Sequence, residues 1–432
     1  MNIAKKRITF LAVGSRGDLN PSCALAQELM ARGYDVCIAT HKNFQSFVED
    51  KGIEYASISG NYNDILNSEA GLNFLDGKGK FRLINDELFY QQLVDAYRAC
   101  QGSDAIIAFP LSLFGYHIAE KLNIPCICSS YVPITATKDF PFLKFDRNNT
   151  NKLLSTLNYF SYLLIDFLSW NSDRKIINKF REKILGLTPI LFLGVRYRQD
   201  APKNFKSEDI PILYQFSSHV IPRPSDWNSS NLYITGNYFL DEDKVYNPPP
   251  DLIEFINKEE KPIYLGFGSM TIRNPQQTAE ILLEVIKITK QRVILSPNWS
   301  GIENYHRDRD DNIFVNSSYI PFNWLFPKIK FIIHHGGSGT TALALKAGVP
   351  QIILPFFADQ PAWGNLMVKL GVSPDCIPFQ QLSAQPLINA IVKILNNTQY
   401  CDRAAQLSNL IQQENGVKTA ADIIEEKINN FG

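Results

Sequence analysis

Short apolar runs alternate along this chain with longer stretches whose apolar residues recur every three or four positions, and glycines mark many of the junctions. The first pattern is that of a strand buried on both faces, the second that of an amphipathic helix. In the N-terminal half, Ile8 to Val13, Val36 to Ala39, Ala105 to Phe109 and Cys126 to Ser129 read as strands. Helices are expected over Pro21 to Arg32, over Phe44 to Lys51, up to Gln101, and around Phe114 to Leu122. Gly33, Gly52 and Gly102 stand just past three of them, where a left-handed C-cap is wanted. From Tyr131 to about Arg198 the alternation loosens into aromatic-rich helical segments. After Asn247-Pro248-Pro249-Pro250 it resumes, with strands at Ile263 to Phe267, Arg292 to Leu295, Ile313 to Val315, Phe331 to Ile333 and Gln351 to Leu354. The expected fold is α/β, with two Rossmann-like parallel sheets covered by helices on both faces. The expected domains are an N-terminal one over 1–240, a linker over 241–250, a C-terminal one over 251–410, and a closing helix over 411–432 that packs back on the first domain.

The densest chemistry lies between Phe331 and Gln360. An apolar strand empties into His334 and His335, then Gly336, Gly337 and Gly339, and a helical stretch runs from Thr340 to Ala347. Glycine lets a ligand approach the main chain, and the N–H groups opening a helix attract an anion, so this turn is a candidate phosphate or diphosphate cradle. Ser338, Thr340 and Thr341 add donors. The next strand, Gln351 to Leu354, leads to Asp359-Gln360, a carboxylate and an amide suited to hydroxyl groups. In open α/β sheets ligands collect at the carboxyl ends of strands, so the two strand ends together point to a phosphate-linked sugar. The turn is not a nucleoside-triphosphate loop, because no G-x-x-x-x-G-K-S/T run occurs, and its G-G-x-G order is not the dinucleotide fingerprint.

Composition narrows the partners. The 432 residues include 43 Lys plus Arg and 43 Asp plus Glu, so no global field recruits nucleic acid. Lys5-Lys6-Arg7 before an apolar run mimics a signal peptide, but the run breaks at once into Ser15-Arg16-Gly17-Asp18, and a buried first strand is the better reading. Seven cysteines, most inside apolar runs, fit reduced core residues, and a cytoplasmic protein without a metal site is expected. The most apolar segment, Leu153 to Trp170, is interrupted by Asn158 and Asp166 and does not exceed the about 20 residues needed to span a bilayer. It reads as a pocket wall or core helix, with a shallow contact at a membrane surface left open.

Two further glycine turns follow first strands. Gly14-Ser15-Arg16-Gly17-Asp18 places a carboxylate at a strand end, where it is either a helix-start residue or a general base for an acceptor hydroxyl. Gly266-Phe267-Gly268-Ser269 is either a second phosphate contact or a tight turn. Asp308-Arg309-Asp310 has the D-x-D form of metal-dependent sugar transfer, but the neighbouring Arg307 and Asp311 make a solvated mixed-charge loop the better reading, and Asp241 with Asp243 invites the same one. Of the scattered histidines, only His41, just after the second strand, falls near an expected cleft.

Taken together, these residues resemble the two-domain (GT-B) glycosyltransferases of family 1. Within them they are most similar to the branch holding sterol glucosyltransferases and the enzymes that glycosylate glycopeptide antibiotics. Gly14 to Pro21 resembles that branch's N-terminal signature, Phe216 to Trp227 with Thr235 to Asp241 its interdomain approach, and His334 to Gln360 with Trp363 its donor site. The resemblance implies two domains facing across a cleft and a role for each matching residue. Asp18 would be the general base. His335, Gly337, Ser338, Gly339 and Thr340 would hold the donor diphosphate, with Gly268 and Ser269 as a second phosphate contact. Asp359 and Gln360 would hold sugar hydroxyls. Tyr319 and Ile320 fall where the family grips the nucleobase, but Phe322-Asn323 departs from the His-Asp often found there, so uracil and thymine both stay open. Phe140, Phe142 and Trp363 are the expected acceptor contacts.

The expected activity is an inverting, metal-independent transfer of a hexose, glucose foremost, from a UDP- or dTDP-sugar to a hydroxyl of a hydrophobic acceptor such as a sterol, polyketide or lipid. The nucleotide sugar is a co-substrate and no cofactor is expected. A cationic or hydrogen-bonding His335 would meet the charge on the leaving diphosphate. The competing readings are a nucleotide-sugar epimerase of the same plan, which would have no use for an aromatic acceptor pocket, and a catalytically silent binding partner.

Overall fold

The computed structural model describes residues 5–431 except 76–81, 146–151, 192–193, 195–200, 203, 207–208, 242–245, 259, 297–310 and 317–318. Asp243 and the Asp308-Arg309-Asp310 run lie outside the described residues. The chain divides into two compact units, one made of Met1–Gly71, Gly79–Leu240 and Glu414–Gly432, the other of Leu72–Lys78 and Asp241–Gln413.

The first unit holds a seven-stranded sheet in the order β3-β2-β1-β4-β5-β6-β7, every neighbouring pair parallel. The strands are β1 (Arg7–Leu11), β2 (Asp35–His41), β3 (Glu54–Ile58), β4 (Ala105–Ala108), β5 (Cys126–Ser130), β6 (Ile212–Tyr214) and β7 (Leu232–Ile234). Side chains on β1, β2 and β4 are buried on both faces, which is why these strands read as continuous apolar runs. Sequence reading misses β3, β6 and β7: the first is a polar edge strand, and the others follow the stretch where the alternation loosens. The helix Gly416–Asn429 joins this unit. Ala420, Ala421, Ile424 and Ile428 share a core with Leu19, Cys23 and Leu25, while Arg32 pairs with Asp422 and Glu425 at 2.6 Å.

The first helix begins earlier than its pattern predicts, at Arg16 rather than Pro21. Ser15 caps it and Asp18 completes the cap from the third helical position, so the start is fixed upstream, and Pro21 inside the helix costs only one hydrogen bond near its first turn. A second departure is larger. The segment expected as a pocket wall or core helix is one continuous helix, Lys152–Phe180, with much of its apolar surface exposed. No helix among the described residues is long and apolar enough to cross a membrane. Five of the seven cysteines are buried and none is in a disulfide.

The second unit holds a five-stranded parallel sheet ordered β10-β9-β8-β11-β12. Its strands are β8 (Ile263–Gly266), β9 (Val293–Leu295), β10 (Ile313–Val315), β11 (Ile332–His334) and β12 (Gln351–Ile353). Both sheets follow the doubly wound plan in which the first strand lies between the second and the fourth. The order in which strands are added reverses across β1/β4 in one and across β8/β11 in the other, and in such sheets the loops leaving those strands open a crevice where ligands bind.

Candidate active site

In the first unit the crevice is flanked by the loops after β1 and β4. Ser112 ties them together: its hydroxyl accepts the Phe109 N–H at 2.9 Å and donates to the Leu11 carbonyl. Between them sits Asp18, 7% exposed. Its Oδ2 accepts the Ser15 N–H at 2.8 Å and the Ser15 hydroxyl at 3.1 Å, so its position is set by the helix cap. Desolvation raises the carboxyl from the ordinary 3.8 to about 6, with the Ser15 hydrogen bonds pulling the other way. A buried carboxylate poised one unit below neutrality is suited to accept a proton. A Cβ on Gly14 would stand 2.4 Å from Asp18 Oδ2 and 3.3 Å from Leu111 Cδ1, so only glycine leaves room for the carboxylate there. Leu111 is 52% exposed, which puts apolar surface beside the carboxylate.

In the second unit β8, β11 and β12 lie side by side, with His334 paired across to Gly266 and to Ile353. His334 is fully buried, and its hydrogen bonds dictate its tautomer. Nδ1 must accept, because the Gly336 N–H points at it at 3.1 Å, so Nε2 carries the proton and donates to Gln351 Oε1 at 2.9 Å. Gln351 is oriented in turn by its own donation to the Thr341 carbonyl at 3.3 Å. Burial, reinforced by His335, pushes His334 down to about 3, so it is neutral and braces the turn.

His335 stands between two glycine turns: a Cβ on Gly268 would meet its Cε1 at 3.0 Å, and one on Gly337 would meet its Nε2 at 2.4 Å. Burial lowers it to about 4, so near neutrality it is an uncharged donor or acceptor, and the cationic alternative is not supported. Its Nδ1 is buried with no hydrogen-bond partner. The helix Ser338–Ala347 opens with Gly337 as N-cap and without a side-chain cap. Its first internal bond runs from the Thr341 N–H to the Gly337 carbonyl, leaving the N–H groups of Ser338, Gly339 and Thr340 at the positive end of the helix dipole. The structure thus brings His335, Gly337, Ser338, Gly339, Thr340, Gly268 and Ser269 to one strand-end cluster.

The loop after β12 is pinned to the same cluster. Phe356 stacks on Phe379 at 3.9 Å, and both meet Phe267 edge-on. Gln360 is 4% exposed. Its Oε1 accepts the Phe356 N–H at 2.8 Å, and its Nε2 donates to Met270 Sδ at 3.4 Å. The expected sugar contact is therefore a clamp between the β8 and β12 loops in this structure, its amide committed internally. Asp359 stays half-buried, with Oδ2 accepting the Trp363 indole N–H at 2.9 Å.

The remaining expected contacts are dispersed. Tyr319 is 42% exposed, while Ile320 is buried in a core with Leu325 and Phe326. Phe140 packs edge-on against Phe145 and is buried, as is Trp363, so both are wall residues with little surface to offer an acceptor. Phe142 is half-buried against Tyr162. Sequence reading passed over Ser15, Leu111, Met270 and Gln351. The Ser15-x-x-Asp18 spacing is a capping signal that could have found the first; the others carry no local mark of their role.

Two doubly wound parallel sheets, each with its switch point between its first and fourth strands, are the architecture of the GT-B glycosyltransferases. Residues 8–141 match the glycosyltransferase family 28 N-terminal domain, and 302–425 match the erythromycin biosynthesis protein CIII-like C-terminal domain. A sterol 3-beta-glucosyltransferase of Arabidopsis thaliana is 33% identical over 98% of this chain and 68% of its own length. One from Pichia angusta is 33% identical over 97% of this chain and 33% of its own length. The glycotransferase of kitacinnamycin superposes with a TM-score of 0.71 at 18% identity, covering 98% of this chain and 99% of that one. The chain belongs to the glycosyltransferase family that includes the sterol 3-beta-glucosyltransferases. It spans about two thirds of the plant relatives' length and about a third or less of the fungal ones'.

Proposed function

We propose that this chain transfers a hexose, glucose foremost, from a UDP- or dTDP-sugar to the hydroxyl of a sterol-like hydrophobic alcohol, with inversion at the anomeric carbon and without a divalent ion. The observation that carries the reading is Asp18: a buried carboxylate at a switch point, raised to about 6 and flanked by the exposed apolar Leu111. The acceptor O–H gives its proton to the Asp18 carboxylate, its oxygen bonds to the anomeric carbon, and the bond from that carbon to the donor diphosphate breaks on the opposite side. Charge builds on the leaving group. The N–H groups of Ser338, Gly339 and Thr340, the Ser338 and Thr340 hydroxyls and the neutral His335 ring are donors suited to receive it, and Gly268 and Ser269 are candidates for a second contact. Asp359 is the sugar-hydroxyl candidate and Gln360 holds its loop. Tyr319 is the candidate for the base, through its ring, and Ile320 only through its main chain. The nearness of apolar surface to Asp18 favours an alcohol acceptor over an epimerase.

The test is release of nucleoside diphosphate from UDP-glucose and dTDP-glucose with and without a sterol. Release that requires the alcohol is expected; release indifferent to it removes the transferase reading. A general base contributes about 100- to 10,000-fold, so Asp18→Asn should lose turnover by that factor with nucleotide affinity kept.

A further inference from the structure

The helix Lys152–Phe180 is about 43 Å long, and its outer face over the first half is apolar. Leu153, Leu157, Phe160, Leu164, Phe167 and Leu168 recur at three- and four-residue spacing, so they form one stripe about 24 Å long. Their exposures run from 40% at Leu168 to 68% at Leu153. Contiguous apolar surface of this extent marks an interaction site.

The orientation of the stripe is locked from behind. Asn158 donates to the Lys138 carbonyl at 3.0 Å and Ser161 Oγ accepts the Phe142 N–H at 2.9 Å. Trp170 donates its indole N–H to the Leu191 carbonyl at 2.9 Å, and beyond the helix's last turn the buried Arg181 pairs with Glu120 at 2.7 Å. The helix cannot roll its apolar face inward without breaking these bonds.

Charge selects the occupant. The helix carries two carboxylates, Asp166 and Asp173, both on the face opposite the stripe and neither exposed. Lys152 stands exposed at one end of the stripe and Lys175 prolongs it at the other, while Lys138 and Lys144 are exposed on the segment that packs beside the helix. We propose that this face docks on an anionic lipid bilayer, with the helix in the plane of the interface, the stripe at the acyl boundary and the lysines at the phosphates. A second copy of the chain fits less well: with both carboxylates of the helix on its opposite face, pairing two such stripes would leave Lys152 and Lys175 without a counter-charge from the facing helix. The proposal rests on the transferase reading only for its purpose, since a sterol-like acceptor resides in a bilayer.

The experiment is co-sedimentation of the full chain with vesicles of phosphatidylcholine alone or mixed with phosphatidylglycerol, at low and high salt. Binding is expected to the mixed vesicles and to weaken with salt. Phe160→Glu with Leu164→Glu should weaken it about tenfold or more, at an unchanged melting midpoint because both positions are exposed. Absence of binding by the natural chain, or equal binding by the double variant, overturns the proposal. So does a concentration-dependent dimer in lipid-free buffer that the double variant abolishes, which would assign the face to a second copy. Turnover of a water-soluble alcohol should be the same in both proteins; if neither turns over any alcohol, the transferase reading fails while the vesicle result stands.

Discussion

The imidazole of His335 occupies the space that a side chain on Gly337 would need: a Cβ there would lie 2.4 Å from Nε2. Gly337 has φ −60° and ψ 139°, ordinary for any residue, so the requirement for glycine is room and not backbone freedom. Gly337→Ala should push the ring out from between the two glycine turns. Hydrogen bonds to a charged ligand are each worth about 1.5–3 kcal/mol, so affinity for nucleoside diphosphate should fall about 10- to 150-fold. Titration calorimetry on Gly337→Ala, His335→Ala and the double variant checks this. The double variant should bind no more weakly than His335→Ala, since both remove the same contact.

Asp18 couples activity and stability in opposite directions. Its folded value near 6 lies above the ordinary 3.8, so ionisation is disfavoured in the native state. Below about pH 3 the group is protonated folded or unfolded and contributes nothing. As pH rises to about 6 the unfolded chain loses the proton first and stability declines, and above that the penalty is complete. Asp18→Asn cannot ionise, and its amide oxygen can still accept from Ser15. Denaturant unfolding should therefore show the variant more stable by on the order of 1–3 kcal/mol at pH 8 and equal to the natural chain at about pH 3. In the natural enzyme kcat/KM should climb with pH through an apparent pKa near 6, a limb that the variant lacks.

The brace behind the diphosphate turn is separable from the turn itself. Gln351→Leu strands the buried Nε2–H of His334 while leaving every anion-facing donor in place. An unsatisfied buried donor costs about 1–3 kcal/mol, so the unfolding free energy should drop by that much and the midpoint fall with it. Nucleotide affinity should fall less than in His335→Ala, and a midpoint equal to the natural chain's would show that the His334–Gln351 bond carries no weight.

Where local chemistry and tertiary packing agree, the chain is readable from its residues. β1, β2, β4, β8, β11 and β12 are apolar runs, and β1, β8 and β11 empty into the glycine turns of the candidate site. Reading fails where a role depends on a distant partner. Nothing near Gln360 announces that Met270 will take its amide proton, and nothing near Leu111 says that Gly14 will bring it beside Asp18. Leu153 to Trp170 misleads for the opposite reason: its composition is that of a core helix, but the burial of Asn158 and Tyr162 turns the leucines outward.

Leu111 offers a test of acceptor approach that leaves the donor untouched. It leaves β4 on the short turn Pro110–Ser112, held by the Ser112 hydroxyl, so a substitution at the exposed neighbour should not move the turn. If a hydrophobic alcohol reaches Asp18 past this side chain, binding buries the half of Leu111 that solvent now sees. Burying half of a leucine is worth about 1 kcal/mol, so Leu111→Ser should raise KM for a sterol about fivefold. The rate at saturating sterol should hold, because the contact is made equally before and during the chemical step. KM for the nucleotide sugar should also hold. A rise in the donor KM, or a fall in kcat with the sterol KM unchanged, would instead assign Leu111 to shaping the Asp18 cap, and a Leu111→Met variant, which keeps the apolar surface, should then fail to restore the natural values.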